Sequence, residues 1–153
     1  MAGRSIVVVS LATLALFVVT VVPDALGGHA FDGVSSGVAL TLFLISLPIW
    51  LYAFGLAVVR SARGDDIAVG SLFFLMGSAP RDVRRRLLGA LGLSVVVACA
   101  TAWANAFAVL EPMLPLALLG LWGARHGTFP ARDVAVRVPT NARRTTAHPG
   151  SGR

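Results

Sequence analysis

Apolar positions in this chain gather into long unbroken runs, and polar residues are confined to the gaps between them. The first run, SIVVVSLATLALFVVTVV, extends from Ser5 to Val22. The second, VSSGVALTLFLISLPIWLYAFGLAVV, extends from Val34 to Val59. The third, LLGALGLSVVVACATAWA, covers Leu87 to Ala104, and the fourth covers Phe107 to Ala124. At a rise of 1.5 Å per residue, a helix of about 18 residues covers about 27 Å, close to the ~30 Å hydrocarbon core of a bilayer. The second run is longer and must tilt or kink, with Pro48 as the kink point. A fifth apolar piece, IAVGSLFFLMGSAP (Ile67 to Pro80), is too short to span and predicts an interfacial or re-entrant segment.

The pattern therefore predicts an all-α membrane protein, a four-span transmembrane helical bundle. The transmembrane domain covers residues 1–127, and residues 128–153 form a disordered basic cytoplasmic tail. Composition agrees with this reading. Of 153 residues, 56% are hydrophobic and only 13% are charged, against about 25% charged in a soluble domain. The mean hydropathy is +0.80. The start of the chain also has the shape of a signal peptide, with Arg4, an apolar core and a cleavage point after Gly27. Cleavage there would leave three spans and the same final topology.

The charges orient the bundle. All 13 basic residues are arginines, with no lysine. Arg4 precedes the first run; Arg60, Arg63, Arg81, Arg84, Arg85 and Arg86 lie between the second and third; Arg125 and the tail arginines follow the fourth. The other two links carry none. With four spans every arginine falls on one side, and the positive-inside rule then places both termini in the cytoplasm of a bacterial plasma (inner) membrane. The same placement turns the net charge of +6 toward lipid headgroups and away from nucleic acid. The arginines hug the membrane and have no aromatic stacking platform.

Small residues predict how the helices pack. Ala90, Ser94, Ala98 and Ala102 recur at steps of four, and Ala117, Gly120 and Ala124 at steps of three and four. Such stripes let helix backbones approach in lipid, and the short link near Asn105 predicts a tight antiparallel hairpin of spans three and four. A Gly33-x-x-x-Gly37 step could act likewise at the start of span two. Trp103 and Trp122 fit an aromatic belt at the two interfaces. Trp50 and Tyr52 lie deeper and are expected to pack between helices, and Cys99, the single cysteine, to be buried as a small apolar residue.

Glu111 is the one carboxylate inside an apolar run. It sits one turn into span four, beside Pro112 and Pro115. It reads as an interfacial acid at a loosened helix start, reachable by water. The sharper reading is an ion- or proton-handling group. Asp24, His29 and Asp32 read as a solvated outer loop. The chain has no glycine-rich phosphate loop, His-Glu-x-x-His, or nucleophile elbow. The expectation is a protein without catalytic activity, cofactor or metal. Its partners are the bilayer and either another membrane protein or further copies of itself. It acts as an accessory, assembly or scaffold subunit, or alternatively as a small transporter or channel subunit using Glu111.

The segments GSAPRDVRRRLLGAL and LEPMLPLALLGLWGARHGTFPAR, with the motif WGARHGTFP (Trp122 to Pro130), resemble small uncharacterised integral membrane proteins of actinobacteria. The resemblance covers about Gly70 to Arg132. It implies a membrane location and brings no chemistry with it. Small multidrug transporters also have four spans, but their essential glutamate lies in the first span, which carries no charge here.

Overall fold

The computed structural model describes residues 3–27 and 32–131. The link at 28–31, with His29, lies outside the described residues. So does the expected disordered tail, 128–153, from residue 132 onward; its first four residues, 128–131, are instead tied to the bundle by backbone hydrogen bonds at Thr128 and Pro130. Five α-helices follow in order: α1 Arg4–Leu26, α2 Asp32–Ala62, α3 Val69–Phe73, α4 Arg81–Thr101 and α5 Met113–His126. A 3-10 helix, Ala106–Leu110, leads into α5. Among the described residues there is no strand, only an isolated bridge between Asp65 and Ala131.

Among the described residues, three helical stretches are long and apolar enough to cross a membrane: Arg4–Leu26, Asp32–Ala62, and the combined Ala106–His126. α1 runs past the expected end of the first span, through Pro23 and Asp24 to Leu26. α2 continues unbroken through Pro48. α4 differs from the other three because Arg81, Arg84, Arg85 and Arg86 occupy its first turns. The uncharged remainder, Leu87 to Thr101, rises only about 22 Å.

The segment Ile67–Pro80 does not form a continuous helix. α3 is five residues long, and the chain then turns through Leu75, which has a positive φ of 52°. A leucine in the left-handed region costs roughly 1–2 kcal/mol. The cost is offset by burial, because Leu75 is fully enclosed with Val7, Leu87, Leu119 and Trp122. The segment thus wedges between the ends of the long helices.

The largest helix–helix interface joins α2 to α5, followed by α1 with α4; α4 with α5 is smaller. The expected hairpin of spans three and four forms around Asn105, with the 3-10 helix carrying much of its contact to α4, but the larger interface of span four is with α2. The reason lies in what the small residues of α5 touch. A Cβ at Gly120 would run into the Phe73 ring, and one at Gly123 into the Leu72 carbonyl. Ala124 packs with Ala57 and Leu72. That face of α5 is cut to receive α2 and the α3 wedge. On α4, Ala90, Ser94 and Ala98 are buried while Ala102 is only half-buried, and Ala98 shares a cluster with Phe17 of α1 and Leu114 and Leu118 of α5.

Outward positions are apolar along the long helices: Val8, Leu11 and Val19 on α1, Leu44, Leu51 and Val58 on α2, Leu93 and Val96 on α4. A water-soluble monomer rarely exposes contiguous apolar surface on this scale; the surface is compatible with a lipid environment. Cys99 lies on this outward face rather than inside, as does Tyr52. Trp50 is also partly outward and stacks on Phe54 and Phe73, with ring centroids 5.8 and 6.3 Å apart. Trp103 is 72% exposed, but Trp122 is 3% exposed and belongs to the core rather than to a belt.

Candidate functional site

The arginine-bearing ends of α1, α2, α4 and α5 meet at one pole. There Val7 near the start of α1 clusters with Leu87 near the start of α4 and Trp122 near the end of α5. Ala57 near the end of α2 clusters with Ala124 of α5. The last carbonyls of a helix have no partner within the helix. Here Arg60 supplies one: its Nη1 donates to the carbonyls of Ala124 and Gly127, both at 3.0 Å. Its Nε pairs with Asp65 at 2.8 Å, and its guanidinium lies 4.8 Å from the centre of the Phe129 ring. The neighbouring backbone is tied in by Asp66 N–H donating to the Pro130 carbonyl at 2.9 Å and Thr128 N–H to the Ser78 carbonyl at 3.1 Å. The sequence expects Arg60 to contact headgroups; its Nε and Nη1 are instead used inside the fold. Most of the WGARHGTFP motif becomes legible as packing. Gly123 lies against Leu72, Gly127 lies close to Phe129, and Trp122 sits 5.7 Å from the His126 ring.

At the opposite pole the chain reverses between α4 and α5. Asn105 turns it: its side-chain oxygen accepts the Phe107 N–H at 2.9 Å and so caps the 3-10 helix. Its amide donates at 2.8 Å to the hydroxyl of Ser35 on α2. That hydroxyl in turn donates at 2.6 Å to the carboxylate of Asp24 on α1. Asp24, Ser35 and Asn105 are all buried. The solvated loop expected around Asp24 is therefore replaced, at that residue, by a hydrogen-bonded chain joining three elements. The sequence hid this because helix α1 continues through Pro23, leaving Asp24 on the same face as Phe17 and Val21.

Glu111 follows directly. The 3-10 helix ends at it, and Pro112 and Pro115 bring no N–H to the start of α5. The Glu111 carbonyl, which a regular helix would pair with residue 115, accepts the Leu114 N–H at 3.0 Å instead. This conformation turns the side chain inward. Glu111 is 0% exposed, and neither carboxyl oxygen has a hydrogen-bond partner. The Ser94 hydroxyl of α4 faces it, but the proton of that hydroxyl goes to the Leu91 carbonyl at 2.9 Å. Ser10 of α1 is likewise fully enclosed with an unpartnered oxygen. The reading of Glu111 as a water-reachable marker of the bundle edge does not match this burial by the protein itself. An unpartnered buried carboxyl costs stability, and the Ser94 hydroxyl is the polar neighbour set against it. It can accept a proton or a cation, and among the described residues no charged side chain is set beside it.

The remaining expected residues separate. Arg63, Arg81, Arg85, Arg86 and Arg125 are exposed and Arg84 half-buried, all on the arginine pole. Ala117, Gly120 and Ala124 are buried between helices. Among the described residues no group of three or more His, Cys, Asp or Glu is placed to hold a metal ion. No family model, no curated protein and no solved structure matches this chain, so its geometry alone carries the functional reading.

Proposed function

We propose that this chain is a four-span bundle of a bacterial plasma membrane, of the kind found in actinobacteria, with both termini cytoplasmic. In this reading it serves as a non-catalytic accessory or assembly subunit. The observation that carries the reading is the meeting of the arginine-bearing ends of α1, α2, α4 and α5 at one pole, above flanks whose outward residues are apolar. α4 completes the fourth crossing with its short uncharged stretch. Its arginines then sit at headgroup level, where the positive-inside rule puts them. The small-residue stripes on α4 and α5 serve the fold itself, so Ala98→Leu is expected to disturb folding before it disturbs any partner. The surface left for a partner helix is the outward side of α2, where Gly33 and Gly37 are exposed and a Cβ on either would meet open space. The test is purification in native nanodiscs from the source cell, with a tag after Arg153 and mass spectrometry of what accompanies the chain. A stoichiometric membrane partner supports the accessory role. A lone chain or a homo-oligomer opposes it.

A second reading rests on the unpartnered, fully enclosed carboxyl of Glu111: a small transporter or channel subunit in which Glu111 carries a proton or cation. Intramembrane ionisable groups are functional by default. Glu111→Gln then abolishes transport or its coupling. A fully active variant removes Glu111 from the mechanism.

A further inference from the structure

Among the arginines at the crowded pole, three are arranged differently from Arg60. Arg81, Arg84 and Arg85 line a groove of about 680 Å³ on the outer side of α4, together with Leu88 and Gly89. None of their three guanidinium groups has a hydrogen-bond or ion-pair partner among the described residues. Asp82, the acid closest in sequence, lines a separate hollow with Val83, Trp122 and His126. α4 also begins at Pro80 with no side-chain cap, so the positive end of its dipole adds to the same field. Below the arginines, the helix surface is notched. Gly89 and Gly92 are exposed, and a Cβ on either would meet open space. Residues 81, 85, 89, 92 and 96 recur at helical spacing, and Val96 is 63% exposed on the apolar continuation of this face.

We propose that this face of α4 is a binding site for one anionic phospholipid. Its phosphate is held by Arg81, Arg84 and Arg85, and an acyl chain lies in the trough of Gly89 and Gly92. The inference rests on the membrane-embedded reading above and gives the basic face a ligand class. Guanidinium groups form paired hydrogen bonds to phosphate oxygens. Helical side chains lean toward the N-terminus, so these arginines reach away from the apolar trough toward the headgroup layer. A charged head above an apolar channel is the chemical division of a phospholipid, whereas a free phosphate has no use for the trough.

The test uses the full chain in nanodiscs and native mass spectrometry, with dioleoyl phosphatidylglycerol and dioleoyl phosphatidylcholine as probes. One phosphatidylglycerol is expected to be retained selectively. Gly89→Leu with Gly92→Leu fills the trough without altering charge or topology, and retention is expected to fall about tenfold. Arg81→Gln with Arg85→Gln is expected to erase the preference between the two lipids. The matched control Arg63→Gln with Arg125→Gln is expected to keep it. Equal retention of the two lipids by the unmodified chain overturns the site. So does an unchanged glycine variant, or a control that loses lipid as fully as the groove variant. Displacement of the lipid by inorganic phosphate, with phosphate still binding the glycine variant, would make this a free-anion site and also overturns it. Carbonate washing of native membranes separates the two levels: release of the chain sinks the membrane reading, whereas retention without lipid preference sinks only the lipid site.

Discussion

The two poles of the bundle handle buried polarity differently, although each holds an unpartnered buried atom, Trp122 Nε1 at the arginine pole and the Glu111 carboxyl at the other. At the arginine pole a charged side chain is used to finish the backbone: Arg60 closes the carbonyls that α5 leaves open and holds Asp65 and Phe129 beside it. At the other pole neutral and acidic side chains link three elements through Asn105, Ser35 and Asp24. One residue beyond the 3-10 helix there, Glu111 has no hydrogen-bond partner. The difference separates structural polarity from unexplained polarity. Arg60 and Asn105 are accounted for by the groups they satisfy. Glu111 is not, and a buried group that stability does not explain is where a mechanism is to be sought.

Substitutions should rank accordingly. Arg60→Ala is expected to have the largest effect, because it removes two charge-assisted bonds to carbonyls and leaves Asp65 unpaired. A loss of about 3 kcal/mol is expected in detergent unfolding, against less than about 0.5 kcal/mol for the exposed Arg63→Ala. Equal effects of the two would erase the distinction of this pole. Gly123→Ala should come next, at about 2 kcal/mol, since its Cβ meets the immovable Leu72 carbonyl rather than a flexible side chain. Thermal unfolding checks it, with Gly92→Ala as the harmless comparison. Ser35→Ala breaks the middle of the chain at the other pole and is expected to cost about 1–2 kcal/mol; no change would mean that Asn105 and Asp24 do not depend on it. The smallest effect, and the one of opposite sign, belongs to Glu111→Leu. Removing an unsatisfied carboxyl should leave stability unchanged or raise it by about 1 kcal/mol. A strong loss of stability would show that Glu111 has a structural partner after all.

Much of the fold was legible in the sequence because run length and arginine placement are coarse signals. The apolar runs predicted the long helices, and the shortness of Ile67–Pro80 predicted a segment that does not span. Finer features were hidden. The end of α1 lies beyond the expected one because Pro23 and Asp24 read as a loop, whereas the helix carries Pro23 in its last turns and closes with the Gly27 N–H on the Pro23 carbonyl. The partner of the α5 stripe was misassigned because spacing tells which residues share a face and not what that face meets. Arg60 and Arg63 are indistinguishable in sequence. Only the return of the chain after Gly127 makes one a clamp and leaves the other exposed. Glu111 stood out as a lone acid, but its enclosure depends on the 3-10 turn and on Ser94 from another helix.

The central claim is that four helices cross the membrane with the arginine pole on the cytoplasmic side. The most direct test uses the single native cysteine. In a Cys99→Ser background, one new cysteine at a time replaces Gly33, Phe107, Arg63 or Thr128, and intact cells are treated with a membrane-impermeant maleimide. The account predicts labelling of positions 33 and 107 from outside, and of positions 63 and 128 only after the membrane is opened. Labelling of positions 33 and 128 from the same side would contradict it.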